Sequence, residues 1–355
     1  MDTDTIVPVT HILPLVTIRR DRRLPVPGTV LVRVNERVQA MDVIATADVA
    51  PRHLVIDLTR ALGIDAASAA QQVKRQPGDR LEAGDILAGP VGLTRRAVRA
   101  PADGVVVALS GAKLVFEASG EPFELKAGFP GMVTATDGTW SATIETTGAL
   151  IQAAWGNGRQ DFGVMRLVSR GPGDRLQTDQ LDINLRGAVL IAGVCDHPAP
   201  LHQATELSVR GVVLGGMSAE LIPMTKRLPY PVLVTEGFGP LAMSSAVYTL
   251  LSTNAGREAA LDGRMADPFT GEKPEIIIPL PSPQRTNLPQ DIIPLAAGVR
   301  VRVLRKPYHG SVGQVREVIP SAVSYPSGLL AASVKVDLDE TGPRVVPQAD
   351  IEIIQ

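Results

Sequence analysis

One phrase of this sequence is written twice, and that repetition constrains the fold more than any other feature. Asn35-Glu-Arg-Val-Gln-Ala-Met-Asp-Val-Ile-Ala45 aligns without gaps on Gly78-Asp-Arg-Leu-Glu-Ala-Gly-Asp-Ile-Leu-Ala88. Arg37 and Arg80, Ala40 and Ala83, Asp42 and Asp85, and Ala45 and Ala88 are identical, and the apolar positions coincide. A second pairing sets Pro25-x-x-Gly28-x-Val30 against Pro101-x-x-Gly104-x-Val106. Around the later copy, Pro77-Gly78-Asp79, Gly84-Asp85 and Ala100-Pro101-x-x-Gly104 punctuate short apolar runs. Such punctuation encodes brief strands joined by tight turns. A phrase written twice predicts two related structural units.

Residues 73–107 resemble the barrel-sandwich hybrid, or hammerhead, of biotinyl and lipoyl carrier domains, which also occurs in membrane-bound electron-transfer subunits and RNA polymerase. The resemblance implies one small barrel built from both copies of the phrase. In the carriers a modifiable lysine lies in a hairpin turn seven residues before the Ala-Pro pair; that position is Leu93 here. No covalent biotin or lipoate is therefore expected, and no other cofactor is. Between the copies, residues 54–72 read as an inserted short helix: Leu58, Ala61, Leu62, Ala66 and Ala69 recur at helical spacing and Gly63 marks a break.

At 355 residues the chain can hold two or three domains with separate cores. Aromatic residues are 3% of the sequence, against 33 glycines and 29 prolines, which favours short aliphatic strands and many turns. A net charge of -2 gives no global attraction to nucleic acid or anionic membrane. Cys195 is the only cysteine, which excludes an internal disulfide and a multi-cysteine metal site. Neither a signal peptide nor a stretch able to cross a bilayer is read from the sequence, so a cytoplasmic protein without membrane insertion is expected.

The fold class expected is mixed β and α/β: a β-rich barrel-sandwich hybrid region over 1–185 with its inserted helix, a small parallel α/β domain over 186–280, a proline-rich linker over 281–294 and a C-terminal β-barrel over 295–355. Residues 12–18 read as an edge strand because Pro14 interrupts them. The cluster Arg19, Arg20, Arg22 and Arg23, with Asp21 inside it, reads as a solvated turn that ends this strand.

From Gly187 onward apolar strands alternate with short helical segments at 201–209, 219–228 and 243–251, the pattern of parallel strands with right-handed crossovers. Open α/β sheets bind ligands beyond the carboxyl ends of their strands. That rule makes Gly193, Gly215, Gly216, Thr235, Glu236 and Gly237 the candidate ligand rim. Cys195, Asp196 and His197 are adjacent and His202 follows, but successive strand residues point to opposite faces, so no catalytic or metal-binding residue is assigned.

The linker is extended and the clearest boundary, expected to release a folded C-terminal unit on proteolysis. Beyond it, Gly298-x-x-Val301-x-Val303 and Gly310-x-x-Gly313-x-Val315 resemble a KOW-type SH3-like small barrel. The family contacts RNA or proteins, which implies Arg300, Arg302, Arg305, Lys306 and Tyr308 as candidate contacts to nucleic acid or a partner. Nearby acids offset that basic charge, so protein contact or self-assembly is the preferred reading. A non-catalytic scaffold is thus expected. The rivals are a ligand-binding or catalytic α/β domain with barrel adaptors, and an RNA- or ribosome-associated factor.

Overall fold

The computed structural model describes residues 7–48, 52–92, 95–119, 122–267, 269–280, 286–339 and 341–355. Leu93 and linker residues 281–285 lie outside the described residues. The fold is β-rich, with 47% strand, 13% helix and several sheets.

Both copies of the repeated phrase form the same local turn. Asp42 Oδ2 accepts the Gln39 amide at 2.7 Å and Asp85 Oδ2 accepts the Glu82 amide at 3.2 Å. Asn35 and Gly78 share positive φ, 70° and 100°. Their amides donate to Val133 O and Val106 O at 2.8 and 2.7 Å.

The copies nevertheless do not meet as halves of one core. Val38, Ile44 and Ala45 pack with Val133 and Ile144. Leu81, Leu87 and Ala88 pack with Val106 and Phe116. Among the described residues the copies share no sheet. Each is completed by its own downstream strand, Val38 lying opposite Gly131 and Leu81 opposite Gly104. Gly131, rather than Gly28, therefore corresponds to Gly104 in the later copy.

The expected helix over 54–72 is also corrected. Arg52–Asp57 is a strand paired with Lys113–Ala118, and only then do the helices Leu58–Leu62 and Ala66–Gln71 follow. Asp57 caps the first by accepting the Arg60 amide, and Gly63 ends it at φ 71°. The run Leu54-Val55-Ile56 suits a strand because two of its three residues are β-branched. The later copy with these elements is an insertion. Strand Val43–Ala47 pairs antiparallel with Phe123–Lys126, Ala47 opposite Phe123, so residues 52–118 lie between two adjacent strands and carry their own core.

Strand Ile12–Arg23 pairs with Ser141–Gln152 and sits at a sheet edge, where Pro14 is tolerated. It does not end at the basic cluster but runs through it. Period-2 alternation turns Arg20 and Arg22 inward, where Arg20 pairs with buried Glu275 at 2.7 Å. The same sheet continues through Glu275–Pro279, Glu258–Asp262 and Gln160–Leu167 into the parallel strands Ala188–Cys195, Gly211–Met217 and Val232–Phe238.

These parallel strands cross the sheet in chain order, without reversal. Right-handed crossovers in one direction put the connections on one face: Leu181, Leu201, Ala204, Leu221 and Leu228 pack there. Helix Ser245–Thr253 covers the other face with Val247 and Leu251. The expected helix over 219–228 is shorter, a 3-10 turn Ala219–Leu221 and a helix Ile222–Thr225. The next strand, Glu258–Asp262, returns to the far side of Gln160–Leu167 and runs antiparallel to it, so the reversal of strand order there does not fall between two parallel strands, where a switch-point crevice receives ligands.

The C-terminal sheet has the order Val9–Thr10, Ile351–Ile354, Arg300–Val303, Val312–Ser324, Leu330–Leu338, Gly342–Pro347. Among the described residues it does not close into a barrel, whereas the sequence predicts an SH3-like small barrel. Its first strand and the core residue Val7 come from the N-terminus. The described part of the linker is tied down: Thr17 donates through its amide to Asn287 O at 3.2 Å and through Oγ1 to Thr286 O at 2.7 Å. Among the described residues no helix is long and apolar enough to cross a membrane.

Candidate functional site

The rim glycines are engaged by the chain's own backbone. An ideal Cβ would lie 2.3 Å from Asp174 O at Gly193, 2.4 Å from Met243 N at Gly215 and 2.5 Å from Gly239 O at Gly216. The close approach that glycine permits is thus taken up by residues 172–174 and 239–243. Thr235 Oγ1 donates to Leu214 O at 3.2 Å, and Glu236 Oε1 accepts the Ser244 amide at 3.0 Å. Gly237 turns the chain at φ 122°. The backbone at Gly193, Gly215 and Gly216 and the side chains of Thr235 and Glu236 are thus engaged by the chain's own atoms.

Glu236 continues into a buried ionic joint. Its Oε2 pairs with Arg302, whose Nε donates to Glu352 Oε1 at 2.6 Å. Thr10 Oγ1 donates to Glu352 Oε2 at 2.5 Å, and Lys273 Nζ lies 3.5 Å from the same oxygen. Burial alone would raise the Glu352 carboxyl, but Arg302 and Lys273 outweigh it and hold the group below its ordinary value. Burial is the largest influence on Lys273 and lowers its ammonium, with Glu352 opposing. The joint connects the end of strand Val232–Phe238 to both strands of the pair Arg300–Val303 and Ile351–Ile354 and to the N-terminal strand Val9–Thr10.

Arg302 therefore is not the exposed contact the sequence predicts; its side chain is 4% exposed. It shares a strand face with Arg300, but Arg300 sits at the solvent end of that strand and pairs with Asp339 at 2.9 Å. Arg305 pairs with Asp350 at 3.2 Å. Lys306 is exposed, and Tyr308 packs at the edge of the C-terminal core with Arg344 5.6 Å from its ring centre.

Cys195 is buried, and burial pushes its thiol up to about 11. It donates to His197 O at 3.3 Å. Asp196 binds Arg175 at 2.6 Å, while the His197 side chain is 73% exposed. The three groups do not converge as nucleophile, base and orienting acid. Among the described residues no group of three or more His, Cys, Asp or Glu side chains is placed to hold a metal. Beyond the ends of the three parallel strands, Arg175, Asp196, Ser218, Phe238 and Pro240 border an open cleft of about 400 Å³.

Sequence reasoning missed a second charged cluster. Asp262 accepts Arg264 Nη2 at 2.5 Å and lies 3.8 Å from Arg22; Arg264 Nη1 reaches Glu272 at 2.8 Å. The alternation of Arg20 and Arg22 within a strand is the signal that locates Arg22 here and Arg20 beside Glu275. Their acidic partners lie more than two hundred residues away, and no local pattern joins them. No protein-family model matches the sequence, and no curated protein matches it.

Proposed function

We propose that this chain is a non-catalytic scaffold or assembly protein that acts through protein contacts. In this reading residues 73–107 belong to a barrel-sandwich-hybrid-like module without an acceptor lysine, residues 295–355 resemble a KOW-type module, and both serve as contact surfaces. The observation that carries it is the Glu236–Arg302 pair, which spends the most polar group of the strand rim on an internal joint. Breaking such a pair costs about 3–5 kcal/mol, so binding a ligand at Glu236 would first have to overcome that cost.

The ligand-binding alternative draws on the cleft beside Arg175 and Asp196, whose volume of about 400 Å³ suits a small molecule. The RNA-binding alternative draws on Arg300, Arg305 and Lys306, but the two arginines already have carboxylate partners. Isolation of the protein at native abundance, followed by native mass spectrometry and cross-linking, separates the three. A stoichiometric protein complex is the expected result. A retained small molecule without a protein partner, or salt-sensitive retention of RNA, would overturn it.

A further inference from the structure

The C-terminal hairpin is longer than the sheet that holds it. Strand Arg300–Val303 pairs with residues 312–314 of one arm strand, and Gly342–Pro347 with residues 333–338 of the other. The stretch between extends past both neighbours as a two-stranded arm. No charged residue occurs from Val318 to Val334, in a chain that is 20% charged.

The tip of the arm is built. Gly328 donates to Tyr325 O and Tyr325 to Leu329 O, each at 2.9 Å, and the Tyr325 hydroxyl lies 2.7 Å from Ser333 Oγ. Leu329 and Leu330, consecutive residues at the end of this turn, are 54% and 68% exposed. An isolated two-stranded ribbon is marginal in water, and an apolar tip adds to that cost. Addition of a further strand along the arm is disfavoured, since Pro320 has no amide to donate and the register breaks between Ile319 and Val323. What the arm offers is its apolar tip and faces.

We propose that the arm packs against the same arm of a second copy of this chain, about a twofold axis. In such a contact each patch meets itself, so charged residues near the axis would face their own kind. This arm has none to place there, and its two leucines are self-complementary. A stable interface takes about 20–30 residues a side, more than the arm supplies. The dimer is therefore weak and reversible, with a dissociation constant on the order of micromolar.

The proposal rests on the protein-contact reading and names one surface for it. Sedimentation velocity of the purified full chain over roughly 1–200 µM tests it, with Leu329→Ser/Leu330→Ser as the variant. A monomer–dimer equilibrium is expected, weakened at least tenfold in the variant with an unchanged circular dichroism spectrum. Ser327→Cys gives an independent readout that keeps both leucines: the buried Cys195 leaves the tip thiols to form an intermolecular disulfide on mild oxidation. A chain that stays monomeric throughout, or a dimer that survives in the double variant, overturns the proposal. A monomer that still forms a stoichiometric complex with a different protein removes this inference and leaves the scaffold reading intact.

Discussion

The Arg302 guanidinium stands between the carboxylates of Glu236 and Glu352, inside the protein, and among the described residues is the only cation shared by that pair of acids. Removing it leaves two buried like charges, partly relieved by Lys273 on the Glu352 side. Arg302→Met is therefore expected to cost about 3–5 kcal/mol, and Glu236→Gln less, because Glu352 still neutralises the arginine. Neutralising all three positions recovers most of the loss. Denaturant midpoints decide this; an Arg302→Met midpoint equal to that of the native chain would contradict the joint.

Acid should destabilise the fold in two stages. His11 is buried, and its Nε2 lies 3.2 Å from Asp291. Burial lowers its protonation point below the ordinary 6.5 despite Asp291. The unfolded chain thus takes up that proton first, and stability falls as pH drops below about 6.5. Glu352 is held below its ordinary 4.5, so its contribution is present above that value and disappears at lower pH. His11→Gln should flatten the first stage and leave the second. A stability profile for the variant that parallels the native one between pH 7.5 and 5 would rule this out.

Gly215→Ala and Gly216→Ala test what the rim glycines are for. A methyl group at either site meets backbone atoms of residues 239–243, and overpacking of this kind costs about 1–3 kcal/mol. Thermal melts should register the loss in the absence of any ligand. Variants as stable as the native chain would reopen the rim as a binding surface.

Residues 295–355 should fold poorly when expressed alone, contrary to what the proline-rich linker suggests. The fragment lacks Val7 and strand Val9–Thr10, which complete its core and edge. It also retains Arg302 and Glu352 without Glu236, Lys273 or Thr10. A dispersed amide spectrum with a cooperative melt from this fragment would show that the boundary is real after all.

The sequence is most legible where structure is local. The turns at Asp42 and Asp85, the helix stop at Gly63, the edge character of Pro14 and the parallel-strand pattern after Gly187 each depend on a few neighbouring residues. The pairing of distant segments was hidden. Repetition of a phrase does not say whether its copies share a core, and here each finds its own partner strand. The alternation of Arg20 and Arg22 resembles a solvated cluster until Asp262 and Glu275 are brought beside it. The rim illustrates the same limit, since glycines at strand ends admit any close neighbour, and only the tertiary fold decides that the neighbour is the chain itself.

Insertion of residues 52–118 between the paired strands Val43–Ala47 and Phe123–Lys126 has a mechanical consequence. Both attachments leave the host at the same end of an antiparallel pair, where Ala47 faces Phe123. A pull on the inserted unit loads the backbone hydrogen bonds of that pair one after another, as in opening a zipper, rather than all together in shear. The host would yield there at low force, leaving its larger sheet mechanically isolated from whatever the inserted unit holds.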